Sequence, residues 1–334
     1  MADNNLPTRR PRTVLTQISP RAWEHPADRA ALNTLRSIPG VDEVIRKVYG
    51  FFGERGIRLL FQANAVRVGP TMFPNVHSAW LDVCSTMDWE PRPELFVSQT
   101  PFVNAGAFGM DRPFVVINSA AVSMLDDDEL HAILGHELGH VMSGHVLYST
   151  IMTIILFFGI RNLPFLAGIA LLPIQLGLLE WYRKAEMSCD RAGVLAGQDP
   201  VASMRKFMKL AGGGKIEQMD LNAFMTQARE YEQGGDAFDL IAKVLNTLGH
   251  SHPFHTVRAA ELQRWVEGGD YDRILRGEYP RRGTADEQRP IADDFADAGK
   301  YYGDQAKEAM DSVTEVAKKA RDAFMGAFKG PSKP

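Results

Sequence analysis

The chain has 334 residues, 45% of them hydrophobic, a formal charge of −4 and nine histidines. That is enough apolar material for one large or two ordinary domains, and the acidic balance, with a pI near 6.2, excludes the basic excess that a phosphate-backbone binder needs. Two cysteines, Cys84 and Cys189, stand far apart without CxxC spacing, which excludes a disulfide framework or a thiolate zinc site and favours a reducing compartment.

Near the start, Arg9, Arg10 and Arg12 precede TVLTQISPRAWEHP, which has neither a continuous apolar run nor a small-residue cleavage site, so no secretory signal is expected. Residues 1–21 read as a flexible basic arm. From Ala22 to Leu60 the apolar residues recur three and four apart, as in amphipathic helices. Short β-branched and aromatic runs in ELFVSQTPFVNAGAFGMDRPFVVINSA, residues 94–120, predict a small sheet with a hairpin turn near Asp111.

A helix then starts at LDDDELHAILGHELGH, with Asp126 as its cap, Glu129 completing a capping box, and an acidic first turn that suits the helix dipole. Residues 146–179 carry a single charge, Arg161, and break at the RNLP segment. They read as an apolar helical hairpin with arms of about 15–17 residues, at or just below bilayer-spanning length. Further helices follow as far as SHPFHTVRAAELQRWVEGG, where Pro253 suits a first helical turn. From Arg281 the chain becomes polar, with one apolar helical face from Ile291 to Phe328. The expected organisation is an arm (1–21), one domain (22–280) with the hairpin 146–179 inserted, and a tail (281–334).

The chemistry concentrates in GHELGHVMSGH. Residues four apart on a helix share a face, so His136 and His140 can hold one cation, while Glu137 beside them reaches a water the metal activates. Zinc suits two neutral imidazoles and a carboxylate. A metzincin would need glycine at 143 and histidine at 146; the chain has Ser143 and Val146. On an ideal helix His145 points about 180° away from His136, which makes it a surface histidine or one that supports a ligand from behind. WYRKAEMSCDRAG offers Glu186 as a third ligand and Asp190, one turn on, to accept the spare N–H of a ligating imidazole. Taken alone, that ExxxD pair reads as an ordinary solvated helix face.

In order along the chain, VNAGAFG, GHELGHVMSGH, the apolar hairpin, EMSCD and SHPFHTVRAAEL resemble the HtpX-like gluzincin peptidases, the family that includes the CAAX prenyl protease. The resemblance covers roughly residues 90–265. It implies an α+β, mainly helical fold: a zincin core with a small sheet, an HExxH helix and a glutamate-ligand helix. It implies one Zn2+ per chain on His136, His140 and Glu186, Glu137 as general base, Asp190 behind a ligand, His252 and Arg258 at the oxyanion, and Asn104 and Ala105 on the strand that holds substrate. Cys189 departs from the small residue usual there and reads as a buried hydrophobe.

The expected function is zinc-dependent endopeptidase cleavage of protein or peptide substrates, with membrane-linked quality control as its expected setting and a non-catalytic membrane-associated scaffold or a non-peptidase zinc hydrolase as the other readings. The hairpin is expected to associate with the cytoplasmic membrane, catalytic domain on the cytoplasmic side. Its rival location is the interior of a soluble cytoplasmic protein. No nucleic-acid partner is expected.

Overall fold

The computed structural model describes residues 11–158, 163–167, 169, 171–233, 253–284 and 296–300; within them helices dominate and four short strands form one sheet. Helix α1 (Pro26–Ser37) is capped by the His25 imidazole, which accepts from the Ala27 N–H, with proline at the first helical position. Helix α2 (Val41–Gln62) bends at Gly53, whose φ of 60° interrupts it. The strands β1 (Ala65–Arg67), β2 (Glu94–Ser98), β3 (Ala105–Phe108) and β4 (Phe114–Asn118) lie in the order β1-β2-β4-β3. β2 and β4 are parallel and the other neighbours antiparallel. Phe108 faces Phe114, so residues 109–113 form the turn expected around Asp111. Strand β1 and helix α3 (Pro74–Thr86) occupy a stretch from which the sequence yielded no element; three residues of strand are too few to show a period.

After α4 (Ser119–Met124) comes α5 (Asp127–Met142), the central helix. Its capping box is present: the Glu129 N–H donates to Asp126 Oδ1 at 3.0 Å and the Asp126 N–H to Glu129 Oε2 at 2.9 Å. Every residue of α5 from Glu129 onward is buried. Helix α6 (Val146–Phe158) follows, then α7 (Leu171–Gly197), which lies against α5 at unusually short range. A Cβ on Gly139 would meet Ala192 Cβ at 2.6 Å, and one on Gly193 would meet the Ala132 carbonyl oxygen at 2.5 Å. Glycine at these positions is what lets the two backbones come together. Helices α8 (Pro200–Gly212), α9 (Leu221–Gln233), α10 (His255–Glu267) and α11 (Asp270–Leu275) close the far side.

Three expectations are modified. The apolar hairpin is α6 plus the first half of α7, and α7 runs on unbroken through WYRKAEMSCD because no proline or glycine stands between Leu178 and Asp190. Ile151, Ile155, Ile174, Leu178 and Trp181 share an apolar core with Leu35, Val44 and Val48 of α1 and α2, so one side of the hairpin is covered by this chain. No single helix among the described residues is long and apolar enough to cross a membrane. Arg161 lies outside the described residues, as does the tail face from Ile291 to Phe328 apart from residues 296–300. Second, residues 11–21 are packed rather than loose: Leu15 and Ile18 are buried, and Arg12 donates to the Gly197 carbonyl and to Asp128, each at 2.9 Å. Two apolar anchors in a polar stretch carry no period to read. Third, Pro253 is not in the first turn of α10 but precedes its N-cap, Phe254; the first helical bond runs from the Arg258 N–H to the Phe254 carbonyl.

Candidate metal centre

His136 and His140, one turn apart on α5, aim their Nε2 atoms at one point, 3.2 Å from each other. Helix α7 brings Glu186 to the same point, with Oε1 3.2 Å from His140 Nε2 and Oε2 3.5 Å from His136 Nε2. A tetrahedral zinc with bonds of about 2.0–2.1 Å holds its ligand atoms about 3.3 Å apart. The two imidazole nitrogens and the carboxylate, which turns one oxygen to each ring, therefore stand at separations that suit a single ion. The protons agree. His136 Nδ1 lies 3.0 Å from Asp190 Oδ1, and since an ionised carboxylate only accepts, the neutral ring of His136 carries its proton there and presents Nε2 as its lone pair. A lone pair facing a carboxylate and a second imidazole nitrogen is an arrangement a cation relieves.

The charges around this point are interlocked. Burial disfavours ionised Asp190, but Arg258 and Lys206 outweigh it and hold the carboxyl far below its ordinary range. Arg258 donates from Nε to Asp190 Oδ2 and from Nη2 to Oδ1, both at 2.7 Å, while its Nη1 stands 3.0 Å from Glu186 Oε2. This bidentate clamp keeps both acidic groups in place. At His136 burial opposes the charged ring, but Glu186 and Asp190 overcome it and raise the group to about 9; at His140 burial prevails and lowers it to about 4. The carboxylates favour positive charge at the centre of the triangle. Burial also raises Glu137, to about 7, with His136 opposing and Glu186 reinforcing.

A cavity of about 250 Å³ opens on the triangle, and Asn104, Ala105, Glu137, Lys206, His255 and Arg258 are among the residues lining it. Ala105 begins the sheet's edge strand β3, and the Asn104 carbonyl accepts from the Asn118 N–H at 2.9 Å, which fixes the strand's entry beside the site. His252 lies outside the described residues.

Residues 70–266 match the model of peptidase family M48. The chain is also 30% identical over 259 residues, 76% of its own length and 75% of the relative's, to the plastoglobule-localized metallopeptidase 48 of Arabidopsis thaliana. The chain belongs to peptidase family M48. It is a metalloprotease by that membership. Shorter similarities link it to two bacterial proteins named protease HtpX homolog: 32% identity over 68 residues in Helicobacter pylori, covering 20% of this chain and 22% of that one, and 31% over 93 residues in Moorella thermoacetica, covering 27% and 30%. No solved structure matches the chain.

In this M48 chain, the expected surface or supporting position of His145 resolves to a buried one. Helix α5 ends at Met142, Gly144 turns the chain with φ of 70°, and α6 leaves at 103° to α5, so an ideal-helix projection no longer applies. His145 Nδ1 comes back to within 3.3 Å of His140 Nδ1. Its Nε2 lies 3.2 Å from Asp28 Oδ2. Burial would raise Asp28, but His145 and the Ser188 hydroxyl hold it low. Cys189 Sγ sits 3.6 Å from His145 Nδ1, and burial raises the thiol well above its usual value, so it is a protonated core group. Its sulfur, His140 and His145 bring ligand-type atoms within 4.8 Å of one another.

Three residues at the site carried no sequence signal. Asp28 is one acid in the first turn of α1, where any acid suits the dipole. Tyr182 stacks on His140 at 5.6 Å but sits in an apolar helical stripe. Lys206, 1% exposed and 3.6 Å from Asp190, is one lysine in a basic amphipathic helix.

Proposed function

We propose that this metalloprotease is a zinc-dependent endopeptidase in which His136, His140 and Glu186 hold the ion and Glu137 is the general base. The observation that carries the reading is the convergence of both imidazole Nε2 atoms, 3.2 Å apart, on the Glu186 carboxylate, whose two oxygens lie 3.2 and 3.5 Å from them. Zinc, when bound, supplies Lewis-acid polarisation of the scissile carbonyl and the attacking water. The Glu137 carboxylate accepts the water's proton and returns it to the leaving nitrogen, a task its raised, near-neutral affinity for protons suits. Asp190 keeps the His136 proton on Nδ1, and Arg258 positions Asp190 and Glu186 from the cavity wall. Because those carboxylates take N–H groups on two edges of the guanidinium, Arg258 acts first as a positioning residue, and His252 is the candidate to meet the oxyanion. The edge strand at Asn104 and Ala105 binds the substrate backbone as an added strand, giving affinity with little side-chain preference.

Attachment to a membrane surface is the second part of the reading. Phe51 stacks on Phe165 at 4.3 Å and Phe52 lies 5.8 Å from Phe158, while Phe51 and Phe157 remain 63% and 79% exposed. Such an apolar tip suits shallow insertion into lipid, and membrane-linked quality control is a setting that suits it. Metal analysis combined with casein digestion tests the catalytic reading. The wild-type protein should hold one zinc and lose cleavage on chelation; Glu137→Gln should keep the zinc while cleavage falls about 10²–10⁴-fold. Full activity in Glu137→Gln refutes the assigned base.

A further inference from the structure

We infer that Asp28 and His145 form a positioning pair that sets the tautomer of His140 and so keeps its Nε2 free to bind the metal. The inference rests on the zinc reading above and adds residues to it.

The two histidines of the HExxH helix are supported differently. His136 gives its Nδ1 proton directly to Asp190, an acid four residues beyond Glu186 on α7. His140 points its Nδ1 at another imidazole, His145 Nδ1, 3.3 Å away. Two imidazole nitrogens at that distance share one proton, so one donates and the other accepts. Asp28 decides which. Its Oδ2 lies 3.2 Å from His145 Nε2, and an ionised carboxylate only accepts, so of the two neutral tautomers of His145 it selects the one with the proton on Nε2. His145 Nδ1 then accepts, His140 Nδ1 donates, and His140 Nε2 is left bare beside Glu186 and His136. The acid thus reaches the second ligand through an intermediate ring.

Asp28 is itself fixed. The Ser188 hydroxyl donates to Oδ2 at 2.6 Å and the Trp181 indole N–H to Oδ1 at 3.1 Å, and the carboxylate is 1% exposed. Asp28 belongs to α1, well before the matched family region, residues 70–266. The metal centre therefore depends on a helix that its own motif does not contain. A second ion shared by His140, His145 and Cys189 is a weaker use of the same atoms, because it would require both His145 Nδ1 and His140 Nδ1 to give up the proton that joins them.

Asp28→Asn provides a sharp test because the direction of its amide is determined. Indole is a donor only, so the amide oxygen must stay on Trp181 and the NH2 group must face His145 Nε2. His145 would then hold its proton on Nδ1, and His140 would be driven to the Nε2–H form, which cannot ligate. The full-length chain is loaded with zinc, and affinity is read by competition with a chromophoric chelator for wild type and Asp28→Asn. In parallel, 15N-histidine NMR locates the ring protons, and the thermal midpoint of the zinc-free forms is recorded. The expected result is a loss of zinc affinity of about 10–100-fold in Asp28→Asn, with the His145 proton on Nε2 in wild type and on Nδ1 in the variant. A merely structural role for Asp28 would lower the zinc-free midpoint and leave the proton where it was, which overturns the inference. So does zinc affinity within about twofold of wild type, against the change expected for such a partner. If the variant does not fold, the wild-type spectrum decides, since a proton on His145 Nδ1 in the zinc-loaded protein contradicts the pair. Failure of wild type to bind zinc at all would instead remove the metal reading, and this inference with it.

Discussion

The two halves of α7 lie in opposite surroundings. Residues 171–182 present Ile174, Leu178 and Trp181 to an apolar layer made with α1, α2 and α6. Residues 185–197 carry Glu186, Asp190 and Arg191 into a buried region against α5 and α10, where each charged group has a counter-charge: Arg258 for Glu186 and Asp190, Glu261 for Arg191. One continuous helix thus serves a core of hydrophobic burial at one end and, at the other, a core in which Ala192, Val194 and Leu195 pack beside paired charges. The difference lies in what a single substitution leaves behind. Trimming an apolar side chain leaves a small void, whereas removing one member of a buried ion network leaves an uncompensated charge.

Three measurements sharpen that contrast. Arg258→Met strips Asp190 of its bidentate partner, and unfolding by denaturant should show a loss of about 3–5 kcal/mol, the cost of stranding a buried charge; a loss under about 1 kcal/mol would mean the network is not under that constraint. Gly193→Ala places a methyl against the Ala132 backbone oxygen, which cannot rotate away, so the α5–α7 pair must part. The same unfolding experiment should give about 1–3 kcal/mol, with zinc affinity falling as Glu186 moves from the imidazoles. At the other end of the molecule, Phe157→Ser should change stability by no more than about 0.5 kcal/mol, since its ring is largely in solvent. It should nevertheless weaken flotation of the protein with anionic phospholipid vesicles; unchanged flotation would take the apolar tip out of the membrane reading.

How much could be read in advance depended on the range of the interaction. The α5 start was legible because Asp126 and Glu129 bond to each other's backbone within one turn, and the His136–His140 pair because four residues make one turn. Glu186 was one carboxylate among many until its segment was seen in the order of a known family. For His145 the spacing left a surface and a supporting position open, because a single turn at Gly144 redirects the chain and a periodic argument has no term for where a helix stops. The burial of α6 was only one of two options, since apolarity specifies removal from water without saying whether lipid or the rest of the chain removes it. The packed segment 11–21 and Asp28 left no trace in their own neighbourhoods.

By itself, then, the order of amino acids determined the local rods and which chemical groups each one carries: the capped helix with its two imidazoles, the small strands, and the apolar arms. Tertiary structure alone decided that glycines on α5 and α7 bring Glu186 to those imidazoles, that α1 delivers Asp28 behind them, and that α1 and α2 cover one side of the hairpin. The division is physical. Hydrogen bonds within a turn and helical periodicity act over a few residues and are written in the spacing, whereas packing joins residues far apart in the chain whose meeting depends on the whole set of surfaces being satisfied together.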